Sequence, residues 1–121
     1  MNILAIDDNS IIRQLITMTL NRAGDMDSVN VETGQEALEL AKTTRFDLVI
    51  MDWQMYPMGG CELLTAIRQL PNYQKTPIIV ISADSEEKTK QIAKDHGATG
   101  WMVKPFNPEK LIEKIRKLAQ S

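Results

Sequence analysis

Residues 46–60 read FDLVIMDWQMYPMGG, and the interpretation of this stretch decides the fold. Leu48, Val49, Ile50 and Met51 form a continuous apolar run. A run without alternation suits a strand covered on both faces, as in a parallel sheet flanked by helices. It ends not on a turn residue but on Asp52, so a carboxylate stands at the carboxyl end of a buried strand.

Working outward, short runs of similar character occur at Ile3–Ile6, Asp27–Val31, Ile78–Ile81 and Trp101–Val103. The run DSVNV alternates between polar and apolar residues and is expected at a sheet edge. Between the runs lie segments with helical period. The first carries Ile12, Leu15, Ile16, Leu20 and Ala23 and stops at Gly24; the second carries Ala37, Leu38 and Ala41; the third Leu63, Leu64 and Ile67. The fifth carries Leu111, Ile112, Ile115 and Leu118 behind a start signal, Asn107-Pro108-Glu109. The fourth, residues 85–96, offers only Ile92 and Ala93 as apolar anchors, with Asp84 and Glu87 spaced as a capping box. This pattern predicts an α/β fold: a doubly wound (βα)5 domain, flavodoxin-like, with a five-stranded parallel sheet in the order 2-1-3-4-5.

The chain of 121 residues has the size of one domain, and residues 1–121 are expected to form one without an effector domain. A net charge of −2 gives no global argument for nucleic acid. No apolar run approaches the ~20 residues that span a bilayer, and one cysteine, Cys61, rules out an internal disulfide. A cytoplasmic monomer that binds neither nucleic acid nor membrane is expected.

In a 2-1-3-4-5 sheet the first and third strands are neighbours, and ligands bind beyond their carboxyl ends. The first strand ends in Asp7-Asp8-Asn9 and the third in Asp52, so three carboxylates converge there. Unit charges ~4 Å apart repel by about 4 kcal/mol at an effective dielectric of about 20. A divalent cation would relieve this, and all-oxygen ligation suits Mg²⁺, which commonly shares its coordination with phosphate. The competing interpretation is that Asp8 or Asn9 merely caps the first helix. The fourth strand is followed by Ser82-Ala83 and the fifth by Lys104-Pro105. Lys104 could neutralise one phosphoryl oxygen while Ser82 donates a hydrogen bond to another.

These residues, in this order, resemble the response-regulator receiver domain along the whole chain: Asp7-Asp8, Asp52 to Met55 with Met58 and Gly60, Ser82-Ala83, Gly97-Ala98 and Lys104-Pro105-Phe106. The resemblance implies a two-component phosphoprotein that takes a phosphoryl group from a sensor histidine kinase onto Asp52. It implies Mg²⁺ held by Asp8, Asp52 and the backbone carbonyl of Gln54, with Asp7 acting largely through water, and a cis Lys104-Pro105 bond. Ser82 and Trp101 would be the switch residues, and Gln54 and Asp84 would tune the lifetime of the acyl phosphate. Stand-alone, CheY-like chemotaxis receivers further imply a CheA-like kinase and a flagellar motor switch as partners. These would dock on the face of the fourth helix, fifth strand and fifth helix, where Lys88, Lys90, Lys94, Trp101, Lys110 and Lys114 fall. A phosphorelay shuttle or a pilus-motility receiver is the alternative within the family.

Two rivals share the chemistry or the fold. A flavodoxin-like binder would want Gly, Ser or Thr after the first strand, where this chain has acids. A haloacid dehalogenase-type hydrolase would want a second acid two residues after the nucleophile, where this chain has Gln54. No turnover enzyme is expected. Cys61 reads as a semi-buried small residue, His96 as a cation at a helix end, and Met18, Met26 and Met102 as packing or surface residues. Receivers usually place proline directly after the methionine, whereas here Tyr56 intervenes before Pro57, so the loop after Asp52 is expected to differ from its relatives.

Overall fold

The structure is a computed structural model that describes residues 1–120. Strands and helices alternate as β1 (Asn2–Ile6), α1 (Ser10–Ala23), β2 (Asp27–Val31), α2 (Gly34–Thr43), β3 (Leu48–Asp52), α3 (Gly60–Gln69), β4 (Ile78–Ser82), α4 (Glu87–Asp95), β5 (Gly100–Val103) and α5 (Pro108–Ala119). All strand pairs are parallel and the order is β2-β1-β3-β4-β5, as the alternation of runs and helical segments predicts.

The continuous apolar runs are buried throughout: every residue of β3 and of β4 is inaccessible, whereas β2, at the edge, alternates. Successive side chains along β3 enter opposite layers. Val49 and Met51 join Ala37, Ala41, Leu63, Leu64 and Ile67 on the α2–α3 side. Leu48 and Ile50 join Ile16, Leu20, Leu111 and Ile115 on the α1–α5 side. Each buried Val, Leu, Ile or Met side chain among these contributes about 1.5–3 kcal/mol of transfer free energy. Met26 belongs to the second layer, while Met18 is exposed.

Helix ends follow the local chemistry. The Asn9 side chain accepts the backbone N–H groups of Ile11 and Ile12, so Asn9, rather than Asp8, caps α1. Gly24 closes α1 at φ 83°, in the left-handed region where glycine costs least. Asn107 caps α5 by accepting from Lys110 N.

The start of α4 departs from expectation. Asp84 and Glu87 form no capping box: Glu86 holds the cap position without a side-chain cap bond, and Asp84 instead bonds Glu86 N and the Thr89 hydroxyl. Nor is Ile92 an anchor, being 39% exposed, so Ala93 alone fixes the apolar side of α4.

No helix within the described residues is long and apolar enough to cross a membrane.

Candidate functional site

The sheet register assembles the site. β1 pairs with β3 through Ile6 and Met51, so the residues that follow, Asp7 and Asp52, leave the sheet side by side. β3 pairs with β4 through Asp52 and Ile81, and β4 with β5 through Ser82 and Val103. The next residue, Lys104, hangs over the same edge, its backbone N–H donating to the Ser82 carbonyl at 2.8 Å.

Asp7, Asp8 and Asp52 offer oxygen atoms within 4.8 Å of one another. Asp7 and Asp52 are buried and Asp8 is exposed. The Lys104 ammonium lies between the two buried acids, 2.9 Å from Asp7 Oδ2 and 3.3 Å from Asp52 Oδ2. Burial pushes the Asp52 carboxyl above the usual carboxylate range, aided by the Asp7 charge and opposed by Lys104 and the Gln54 N–H. For Lys104 burial acts downward, but the hydrogen bond to Asp7 and the charges of Asp52 and Asp7 outweigh it and hold the ammonium above its ordinary value. Burial thus disfavours the charge on Asp52, while the two carboxylates favour the charge on Lys104.

One local device orients these side chains. Asp7, Asp52, Ser82 and Asp84 each accept the backbone N–H two residues further on, at 2.8, 3.2, 3.0 and 2.8 Å. This turn geometry fixes each rotamer from within its own loop. Asp7 is fully committed: Oδ1 takes the Asn9 N–H and Oδ2 takes Lys104. Asp8 is solvent-exposed, and Asp52 commits Oδ1 to Gln54 N and Oδ2 to Lys104. An all-oxygen donor set of this kind suits a hard divalent cation. Gln54 is exposed at the mouth.

Ser82 is fully buried, with its hydroxyl oxygen occupied by Asp84 N. Trp101 is half-buried and meets Trp53 edge to face, ring centroids 6.2 Å apart. Trp53 follows Asp52 directly and is locked by the backbone: its N–H donates to the Ile81 carbonyl and its carbonyl accepts from Gly60 N. A Cβ on Gly60 would lie 2.5 Å from the Trp53 carbonyl oxygen, so glycine is required by this close approach. The Lys104-Pro105 peptide is cis, as the resemblance implies, and so is Tyr56-Pro57, with Tyr56 86% exposed beside the crevice.

Sequence reading missed three supports. Arg13 donates to the Asp7 carbonyl at 2.7 Å and so fixes the backbone that carries the acids. Trp53 carries no sequence signal beyond its place directly after Asp52. The Asn9 contact to Asp7 could have been found from the two-residue spacing alone. Cys61 is semi-buried, and His96 ends α4 with Nδ1 2.8 Å from the Ile92 carbonyl, both away from the crevice chemistry.

A doubly wound sheet with an acid cluster and a lysine at its switch point is an arrangement suited to a cation and a phosphate-bearing ligand. Residues 3–116 match the family described as the response regulator receiver domain, and the chain belongs to that family. It is 35% identical over 116 residues to a chemotaxis protein CheY homolog of Campylobacter jejuni, covering 95% of this chain and 89% of that protein. It is 32% identical to the chemotaxis protein CheY of Pseudomonas aeruginosa, covering 98% of this chain and 95% of that one. Among solved structures it superposes on the chemotaxis response regulator CheY4 of Vibrio cholerae with a TM-score of 0.91, at 40% identity and 97% coverage of both chains. Receiver domains of this kind are signalling proteins rather than turnover enzymes.

Proposed function

We propose that Asp52 accepts a phosphoryl group from the phosphohistidine of a sensor kinase and that the modified domain signals to a partner protein. The observation that carries this is the placement of Lys104 between Asp7 and Asp52, 2.9 and 3.3 Å away, at the switch point of the sheet. In the reaction an Asp52 carboxylate oxygen attacks phosphorus, the P–N bond breaks, and the imidazole leaves with the electron pair. Transfer of this type needs positioning and charge neutralisation more than proton movement. Lys104 follows the incoming phosphoryl group by giving up its contact to Asp52, and Ser82 turns its hydroxyl toward another phosphoryl oxygen.

Mg²⁺ is the proposed ion, held by Asp8, Asp52 and the Gln54 carbonyl with Asp7 acting through water, and when bound it supplies positive charge to the phosphoryl oxygens. Gln54 and Asp84 flank the crescent of reacting groups and are proposed to set how readily water reaches the acyl phosphate. Trp101 is the proposed gate. Its contact with Trp53 links it to the residue after Asp52, and it lines a groove of about 260 Å³ with Lys90, Ala93, Lys94 and Lys114. A groove walled by lysines suits an acidic or mixed partner segment. Likeness to chemotaxis proteins supports a CheA-like kinase upstream and the flagellar motor switch downstream.

Incubation with acetyl phosphate and Mg²⁺ tests the reading: intact mass should show one added phosphoryl group on the native protein and none on Asp52→Asn. Equal labelling of both proteins, or none of the native one, rejects it.

A further inference from the structure

The three carboxylates of the crevice are not held alike. Asp7 and Asp52 are buried, and each has both carboxylate oxygens committed. Asp8 is exposed, and among the described residues no hydrogen bond or ion pair fixes its side chain. Even so, it offers an oxygen within 4.8 Å of the other two acids. A carboxylate on so short a side chain goes where its backbone carries it, so the placement of Asp8 is set by the peptide that joins it to Asp7.

That peptide is gripped from outside its own turn. Its oxygen, the Asp7 carbonyl, accepts Arg13 Nη1 at 2.7 Å. Arg13 lies in the first turn of α1, and a helical side chain leans toward the helix N-terminus, so the guanidinium reaches back over the turn that starts the helix. Two features mark this contact as built. The Arg13 side chain is only 22% exposed, and the first turn of α1 holds no acid, so a cation is kept at the helix end where the dipole opposes it. The carboxylate that pairs with it, Glu32, is 3.9 Å from Nη2 and 62% exposed, too distant and too wet to account for that placement.

We propose that Arg13 is a positioning residue for the divalent cation: by holding the Asp7 carbonyl it fixes the Asp7-Asp8 peptide and keeps the Asp8 carboxylate turned to the crevice before the ion arrives. This rests on the proposed Mg²⁺ site. Asp7 itself is held redundantly, by the Asn9 N–H, by Lys104 and through its own N–H by the Val31 carbonyl. Loss of Arg13 therefore falls on Asp8. Without the guanidinium the peptide is free to turn, and repulsion from the two neighbouring acids drives Asp8 toward solvent. Binding then has to order the turn and gather the third acid together.

The test is Arg13→Met, which keeps an aliphatic stem and removes the donor. Beside it stand Arg13→Lys, which keeps a charged donor, and Glu32→Gln, which removes only the surface ion pair. Urea unfolding in chelator and at several Mg²⁺ concentrations gives, for each protein, the metal-free midpoint and the stabilisation that Mg²⁺ adds, and the second quantity yields the dissociation constant. Tryptophan fluorescence, with Trp53 directly after Asp52, provides a second titration. Arg13→Met should bind Mg²⁺ about tenfold more weakly, the usual effect of losing a group that orients a metal ligand. Arg13→Lys should recover most of that affinity, and Glu32→Gln should bind as the native protein does. If Arg13→Met fails to fold, Arg13→Gln, whose amide is too short to span the turn, carries the same expectation. A purely structural arginine would lower the metal-free midpoint and leave the dissociation constant unchanged. That result overturns the positioning role, as does an equal weakening in Glu32→Gln, while the native protein still binds Mg²⁺. A native protein that gains no stability from Mg²⁺ removes the metal site and the positioning role together.

Discussion

Replacing Asp52 with asparagine should stabilise the metal-free protein, although it removes the residue on which the proposed function depends. Asp52 is ionised within 4.8 Å of two other acids, and at an effective dielectric of about 20 a like pair at that distance costs about 3.5 kcal/mol. Contact with Lys104 at 3.3 Å returns about 5 kcal/mol on the same scale, and the exposed Asp8 adds only about 1. Attraction and repulsion therefore nearly cancel, leaving burial of the charge to decide, in agreement with the upward displacement of the Asp52 pKa. An asparagine avoids that burial cost and can still accept the Gln54 N–H, while Lys104 keeps Asp7.

A net gain in stability is expected, read as a higher Tm and a higher urea midpoint for the variant than for the native protein. The pH dependence has a definite sign. Because the folded-state pKa of Asp52 lies above its ordinary 3.8, the folded protein holds the proton more tightly than the unfolded chain. The contribution of this carboxyl to stability is complete below pH 3.8 and is lost as pH rises through the higher folded-state value. Asp52→Asn escapes that loss, so the gap between the two proteins should open on going from pH 4 to pH 7. Urea unfolding in a chelator at several pH values measures it. Adding Mg²⁺ should narrow the gap, since an ion that binds the native site stabilises the native protein more than the variant. A variant no more stable than the native protein at pH 7, or a gap of the same size at pH 4 and pH 7, would refute the reasoning.

Three further outcomes are expected. Lys104→Met should lower the rate of labelling by acetyl phosphate by about 100-fold or more, because the cation facing the phosphoryl oxygens is gone, and intact mass against time reads it directly. Gly60→Ala should cost about 1–3 kcal/mol in urea unfolding, since the added methyl meets the Trp53 backbone at 2.5 Å and neither strand nor helix can yield freely. Tyr73→Phe should cost about 1–3 kcal/mol, because the Tyr73 hydroxyl accepts the buried Phe46 N–H and donates to the Thr44 carbonyl, and the variant leaves that N–H unpaired.

The parts of the molecule that were legible in the sequence are those whose cause is local. Leu48–Met51 is apolar at every position because β3 is covered on both faces, and the carboxylate that ends it is conspicuous against that background. Asp7-Asp8 and Ser82 stand out for the same reason, at the ends of the buried runs of β1 and β4, while Lys104 follows a half-buried β5, and the strand order then brings them to one edge. Supports that depend on partners far along the chain left no such trace. Tyr73 is almost wholly buried because its hydroxyl bridges Thr44 and Phe46, yet its neighbours in the sequence read as an ordinary turn. Arg68 sits on the half-polar side of α3 and looks like a solvated cation until the Gly97 carbonyl is seen above it.

Helix α4 shows where the two kinds of information part. Its weak apolar period agrees with the single buried apolar side chain, Ala93, but the capping box expected from Asp84 and Glu87 fails, because a local rule assigns the Asp84 carboxylate to the helix start two residues too early. In the folded chain that carboxylate is shared between the Glu86 backbone and the Thr89 hydroxyl, and its own N–H is tied back to the buried serine. A side chain placed to cap a helix would hold α4 whatever happens at Asp52. One placed between the helix and Ser82 instead ties the start of α4 to the serine that ends β4.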